Sequence, residues 1–215
     1  LLDENLIAGL AERGLVGNTF RRLMPEKKER IYRAAIELFG KFGYDGLAVD
    51  ELCHKAGISK GSFFQYFPSK SHLLEFAVVV FDDYLARLTE DIRQSDQSVM
   101  ASDRLQYLYH ALVVNSRMYA AEERFFLFVT RALDHAGVTL EGIDLERHFR
   151  DYVTDIIRRG EETGEIRGDV EVELTGHLTS LVIGALVRRQ YSRSQGPPRR
   201  TGEYLVSFLF DGIRA

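Results

Sequence analysis

The sequence predicts an all-α protein of about nine helices. Long stretches follow a 3.6-residue apolar repeat, and no stretch alternates cleanly towards a hairpin turn. The chain has only four prolines, Pro25, Pro68, Pro197 and Pro198, and each falls at a predicted helix boundary or in a loop. The pattern divides into a short extension at 1–24, a compact helical module at 25–70 and a larger helical body at 71–215.

Residues 2–13 can form a short helix with Leu2, Leu6 and Leu10 on one face, followed by the link GNTFRRLM. Pro25 suits a first helical turn, where its missing N–H costs nothing. The helix it opens runs to about Phe42 on a stripe of Ile31, Ala34, Ala35, Leu38 and Phe39, and Gly43 stops it. A short helix at about 49–55 ends near Gly57, and another opens after the N-cap Ser59 and reaches about Phe67. Ser69 then caps a long helix at about 70–94, with Leu73, Leu74, Ala77, Val80, Phe81, Tyr84 and Leu88 inward. Further helices are expected at about 102–120, 122–136, 144–162, 171–192 and 201–213, the last two separated by the loop SQGPPRR.

The net charge of −4 is unevenly spread. Residues 21–70 hold ten Lys/Arg against six Asp/Glu, and all six lysines lie between Lys27 and Lys70. A basic first third on an acidic remainder points to an anion-binding module on a different kind of body. The single cysteine, Cys53, excludes an intramolecular disulfide and a Cys-cluster metal site, and a reduced, cytoplasmic compartment is the simplest reading. Cys53 itself reads as a small packed hydrophobe. No apolar run is long enough to cross a membrane, and LLDENLIAGLAERG carries acids where a signal peptide is basic.

The arrangement at 49–67 carries the chemistry. Two short helices joined by AGIS, with Gly57 at the turn, describe a helix-turn-helix, whose second helix can enter a DNA major groove. Phe63 and Phe67 lie four apart and are expected to pack inward. That leaves Lys60, Gly61, Ser62, Gln65 and Tyr66 for the outer side. Lys60 can meet a phosphate or a guanine edge and Gln65 an adenine edge, Gly61 permits close approach, and Ser62 and Tyr66 supply hydroxyls. Lys70, at the start of the next helix, suits a phosphate. Phe64 falls between the two faces.

The stretch AGISKGSFFQYFPSKSHLL resembles the TetR family of one-component bacterial regulators, whose signature runs roughly A-G-V-S-x-G-x-L/F-Y-x-Y/H-F-x-x-K-x-x-L. The lead-in RIYRAAIELFGKFGYDGLAVDELCHKAG is similar to that family's first two helices. RRGEETGEIRGDVEVELTGHLTSLVIGAL resembles the segment before its dimerisation helices. The specific part covers roughly residues 26–74. This resemblance implies a ligand-responsive regulator that binds double-stranded DNA at a palindromic operator as a homodimer, most simply a repressor released by a small effector. Two positions depart from the family: Ala48 stands where Thr is usual, and Phe64 where Tyr is usual. Each substitution removes a hydroxyl available to phosphate, and Ala48 also caps its helix less well by about 1 kcal/mol.

A two-fold operator requires a dimer. In the helix at 171–192, Gly176, Ser180 and Gly184 recur every four residues, a strip that allows close helix approach, and the last helix offers Leu205, Phe208 and Leu209. The resemblance implies that these two helices pair with their copies in a four-helix bundle. It also implies an apolar effector cavity among the middle helices, for which Tyr109, Leu112, Phe126, Phe128, Phe149 and Tyr152 are the expected lining, with an apolar or aromatic compound as effector. No cofactor or metal is expected, since the six histidines show no metal-ligand pair at i, i+4.

Arg21 and Arg22 can form an arm into a minor groove or a solvated linker. Two rival functions are weighed, and the second is kept as the alternative. An enzyme would need a nucleophile–base pattern or a phosphate-binding glycine loop, and neither is present. A protein-interaction module with impaired DNA binding is the alternative that Ala48 and Phe64 favour.

Overall fold

The computed structural model describes residues 2–131, 143–192 and 199–213, and these form eleven helices. The chain divides into two compact units. One comprises Leu1–Tyr84 with Ala120–Leu145, the other Leu85–Tyr119 with Glu146–Ala215.

The first unit opens with α1 (Glu4–Glu12), whose N-cap Asp3 accepts the N–H groups of Asn5 and Leu6. A helix that was not foreseen follows, α2 (Asn18–Arg21), within the segment expected to be a link. Next comes α3 (Pro25–Gly46), with Pro25 in its first turn; Gly43, at φ 71, breaks it at the expected stop and leaves one further turn beyond the kink. The helix-turn-helix is α4 (Val49–Ala56) and α5 (Lys60–Tyr66). The long helix α6 (Lys70–Ser95) starts as expected, with Ser69 Oγ accepting the His72 N–H at 3.4 Å. It contributes residues to both units. The unit is completed by α8 (Ala120–Arg131), which packs along α3: Phe39 stacks on Phe128, and Phe81 meets Phe125 edge-on. The expected helix over 122–136 thus begins two residues early, and its last residues lie outside those described.

The second unit contains α7 (Ala101–Met118), α9 (Arg147–Glu162), α10 (Val172–Ser192) and α11 (Arg199–Ile213) around one apolar core. Residues 101–102 are held at the start of α7 by Glu165, whose carboxylate accepts the N–H groups of Ala101 and Ser102. This combines helix capping with a favourable negative charge at a helix N-terminus. Tyr109, Tyr152, Ile156 and Ile157 lie in the core, and α7 packs against α9, α10 and α11. Among the described residues, no helix is long and apolar enough to cross a membrane.

Candidate nucleic-acid interface

The turn between α4 and α5 depends on Gly57, which adopts the left-handed conformation (φ 67, ψ 44). A side chain with a Cβ is disfavoured there, and the turn closes with Ile58 N–H donating to the Cys53 carbonyl at 3.0 Å. Ser59 caps α5 as expected: its Oγ accepts the Ser62 N–H at 3.0 Å. By contrast Ala48, at the N-cap of α4 with extended backbone, makes no side-chain capping bond.

Phe63 and Phe67 are fully buried, and their rings lie 5.7 Å apart. On the outer side Lys60, Gly61 and Gln65 are exposed and Ser62 is half-exposed. Phe64 is 54% exposed, with its ring edge-to-face on Phe63. Lys60 is held in a surface ion pair, Nζ to Asp50 Oδ1 at 2.9 Å, so any phosphate or base must compete with that carboxylate.

Tyr66 does not face outward. It is 4% exposed, because Phe20 of α2 meets its ring at 5.9 Å and the Lys27 ammonium lies 5.7 Å from its centroid. The i, i+3 spacing from Phe63 was the available signal, since it places Tyr66 on the same face as Phe63 and Phe67. Reading 17–24 as an open link hid what would cover that face.

Lys70 is also engaged within the chain. Its ammonium donates to the carbonyls of Tyr44 at 2.7 Å and Leu47 at 3.4 Å, and sits 4.5 Å from the Tyr44 ring centroid. It therefore secures the backbone just after the α3 kink. Arg21 and Arg22 are exposed, but they stand at the end of α2 rather than on a free arm. Cys53 is buried; burial pushes its thiol up, Asp50 adds to the rise and Lys60 opposes it.

The residues expected at an effector cavity separate between the units. Phe126 and Phe128 belong to the first unit, whereas Tyr109, Leu112, Phe149 and Tyr152 belong to the second. Tyr109 and Tyr152 are buried in the second unit's core. The Tyr152 hydroxyl donates to Asp96 at 3.4 Å, and burial, reinforced by Asp96, pushes its pKa up to about 12. Within the second unit, the distal part of α6 and α7 form an open groove of about 410 Å³ lined by Leu88, Ile92, Tyr107, His110, Val114 and Met118 among others. None of the six expected residues lines it.

The expected interface residues also divide. Gly176 faces α9, where a Cβ would run into the Thr154 side chain. Ser180 is buried, with its hydroxyl donating to the His177 carbonyl at 2.7 Å, and Leu205 belongs to the second unit's core. The small-residue strip thus begins by letting α10 approach α9 within the chain. Gly184 and Leu209 are half-buried, and Phe208 is 65% exposed. The outward apolar residues of α10 are Leu174, Leu178 and Leu181, and α11 adds Tyr204 beside Phe208. Leu174, Leu178 and Leu181 also recur at i, i+4 and i+7, a second stripe that the small residues overshadowed. Among the described residues, no group of three or more His, Cys, Asp or Glu is placed to hold a metal ion.

The profile of bacterial regulatory proteins of the tetR family matches residues 31–77, which run from within α3 across α4 and α5 into α6. The chain is 37% identical over 73 residues to the uncharacterised regulator YerO of Bacillus subtilis, covering 32% of this chain and 25% of that protein. It is 27% identical over 176 residues to the transcriptional repressor DhaR of Mycobacterium sp. strain GP1, covering 79% of this chain and 85% of that one. A crystal structure of a TetR family regulator from Chloroflexus aurantiacus superposes with a TM-score of 0.71 at 18% identity, covering 93% of this chain and 99% of that one. The local match falls on the helix-turn-helix, and the structural likeness extends along nearly the whole chain: residues 31–77 form a helix-turn-helix module of the tetR type, set in a chain with the same all-α fold.

Proposed function

We propose that the protein is a one-component transcriptional regulator that binds a palindromic operator in double-stranded DNA as a homodimer, represses, and is released by a small apolar or aromatic effector. The observation that carries this reading is the division of α5. Phe63 and Phe67 anchor it inward while Lys60, Gly61, Phe64 and Gln65 stand outward on one short helix. A helix held from behind, with a cation and an amide in front, can place both against a groove. Ser62 is half-exposed and suits a phosphate, whereas Tyr66 and Lys70 act first as supports. DhaR, named as a repressor, is the relative that favours repression over activation.

Dimer formation is supported by the outward stripe of Leu174, Leu178 and Leu181 with Tyr204 and Phe208. Such a patch is costly to leave in water and marks an interaction surface. Effector binding is assigned to the groove of the second unit, whose apolar walls carry His110, Asn115 and the two tyrosines 107 and 119 as hydrogen-bonding groups. Its wall of Leu88 and Ile92 is α6, the same helix that begins at Lys70 after α5. A ligand that favours one placement of α6 therefore biases the state of the reading helix, a population shift.

Selection of genomic fragments by the purified protein tests this reading. Recovery of a palindrome, with an affinity that falls steeply as salt rises, is the expected result. No enrichment even at low salt would favour the interaction-module alternative, with Ala48 and Phe64 as the reason.

A further inference from the structure

The residues before α3 stand outside the segment that the family profile matches, yet they lie against α5. Tyr66 ends that helix, and its carbonyl is one of the acceptors a helix leaves orphaned. It accepts the Gly17 N–H at 2.8 Å. The neighbouring Gln65 carbonyl lies so close to Gly17 that a Cβ there would collide with its oxygen. One turn on, Phe20 is fully buried against the rings of Tyr66, Phe67 and Phe76, with centroids at 5.9, 5.1 and 5.1 Å. The segment is itself anchored: Ile7, Leu10, Leu15 and Val16 are buried, and the Lys28 ammonium donates to both oxygens of Glu4 at 2.8 Å.

We propose that α1 and α2 are a clamp that fixes the C-terminal end of the reading helix, with Gly17 and Phe20 as positioning residues for the base contacts of α5. The proposal rests on the reading of α5 as the DNA-reading helix. A helix of seven residues has little stability of its own. Ser59 holds one end through its cap, and Gly17 and Phe20 hold the other. Gln65 lies on the turn that Gly17 touches, so a shift of that turn moves its amide relative to a base edge. Backbone phosphates tolerate such a shift better, because charge attraction varies slowly with distance whereas a paired hydrogen bond to a base does not. The clamp therefore acts on discrimination between sequences more than on attraction to DNA in general.

The test uses the full chain carrying Gly17→Ala and, separately, Phe20→Leu. Hydrogen exchange is first followed without DNA. In the wild type the Phe63–Phe67 amides should be protected to the level of α3. In the variants they should exchange roughly tenfold faster, the worth of about one hydrogen bond and its packing, while α9 and α10 are unchanged. Affinity is then measured for a duplex recovered by genomic selection and for a scrambled duplex of equal length. The expected result is a loss of roughly tenfold for the recovered duplex and less than about twofold for the scrambled one, the equivalent of one displaced base contact. Unprotected α5 amides in the wild type, unaltered exchange in the variants, or an equal loss for both duplexes would each overturn the clamp. Should Gly17→Ala fail to fold, Phe20→Leu carries the same measurements. If no duplex is bound at all, the DNA reading falls, and the exchange data still decide whether the segment clamps α5.

Discussion

Lys28 is a lysine only 1% exposed, and Glu4 is its carboxylate partner, itself 60% exposed. An ammonium taken out of water needs such a partner, and removing one leaves an uncompensated charge. Glu4→Gln should lower unfolding stability by about 2 kcal/mol, less than for a fully buried pair because water reaches the carboxylate, as read from urea denaturation. Cys53 behaves in the opposite sense: burial raises its thiol, which keeps it protonated and unreactive at neutral pH. A disulfide reagent at pH 8 should label it slowly in the native chain and quickly in urea; rapid native labelling would contradict its place in the core. Lys70 fastens the backbone after the α3 kink, and a phosphate contact is the second role proposed for it. Lys70→Met, which keeps the stem and removes the ammonium, should cost about 1 kcal/mol of stability through the freed carbonyls of Tyr44 and Leu47. If stability is unchanged while DNA binding weakens and its salt slope flattens, phosphate contact is the main role of Lys70. Lys60 and Gln65 were legible as outward residues, because a seven-residue helix with two buried phenylalanines leaves few faces. Tyr66 was misread for a different reason: what buries it is Phe20, 46 positions earlier, and no local periodicity reports a partner that distant.

At the scale of elements, every helix begun by a strong local signal is present. Asp3, Ser59 and Ser69 each cap a helix, and Pro25 opens α3. Such signals act over three or four residues and so survive without tertiary context. α4 starts from Ala48 with no capping side chain, which leaves room for improvement. Ala48→Thr should add about 1 kcal/mol and raise the melting temperature by about 3 °C, as read by calorimetry. No gain would mean that the α4 N-terminus is satisfied in some other way. α2 is the element that sequence reasoning missed. Four residues with no side-chain cap have no helical preference to detect, and α2 exists because Phe20 has a pocket to fill. The small-residue strip on α10 teaches the same lesson. Spacing every four residues shows that one face is narrow, but not whether the close neighbour is α9 of the same chain or a helix of a second copy.

At the scale of the molecule, the basic module and the acidic body anticipated in the sequence do not map simply onto the two compact units, because α8 joins the module's unit and α6 contributes to both. The proposed dimer makes a demand at this scale. Phe208→Glu combined with Leu178→Glu places charges on the outward stripes of α10 and α11, and should convert a dimer to a monomer at micromolar concentration by light scattering. Helicity should be unchanged, since both positions are exposed. A double variant that remains dimeric would move the interface elsewhere. The sequence by itself determined the all-α class, the helix-turn-helix and its Gly57 turn, and the outward Lys60 and Gln65. Each of these depends on contacts within about one helical turn, or on a motif whose spacing is the geometry itself. What the tertiary structure adds is that Tyr66 is buried, that Lys70 fastens the chain after α3, that Gly176 faces α9, and that Gly17 and Phe20 pack against the end of α5. Those outcomes depend on which distant side chain fills which space, and close packing settles that only when the whole chain is assembled.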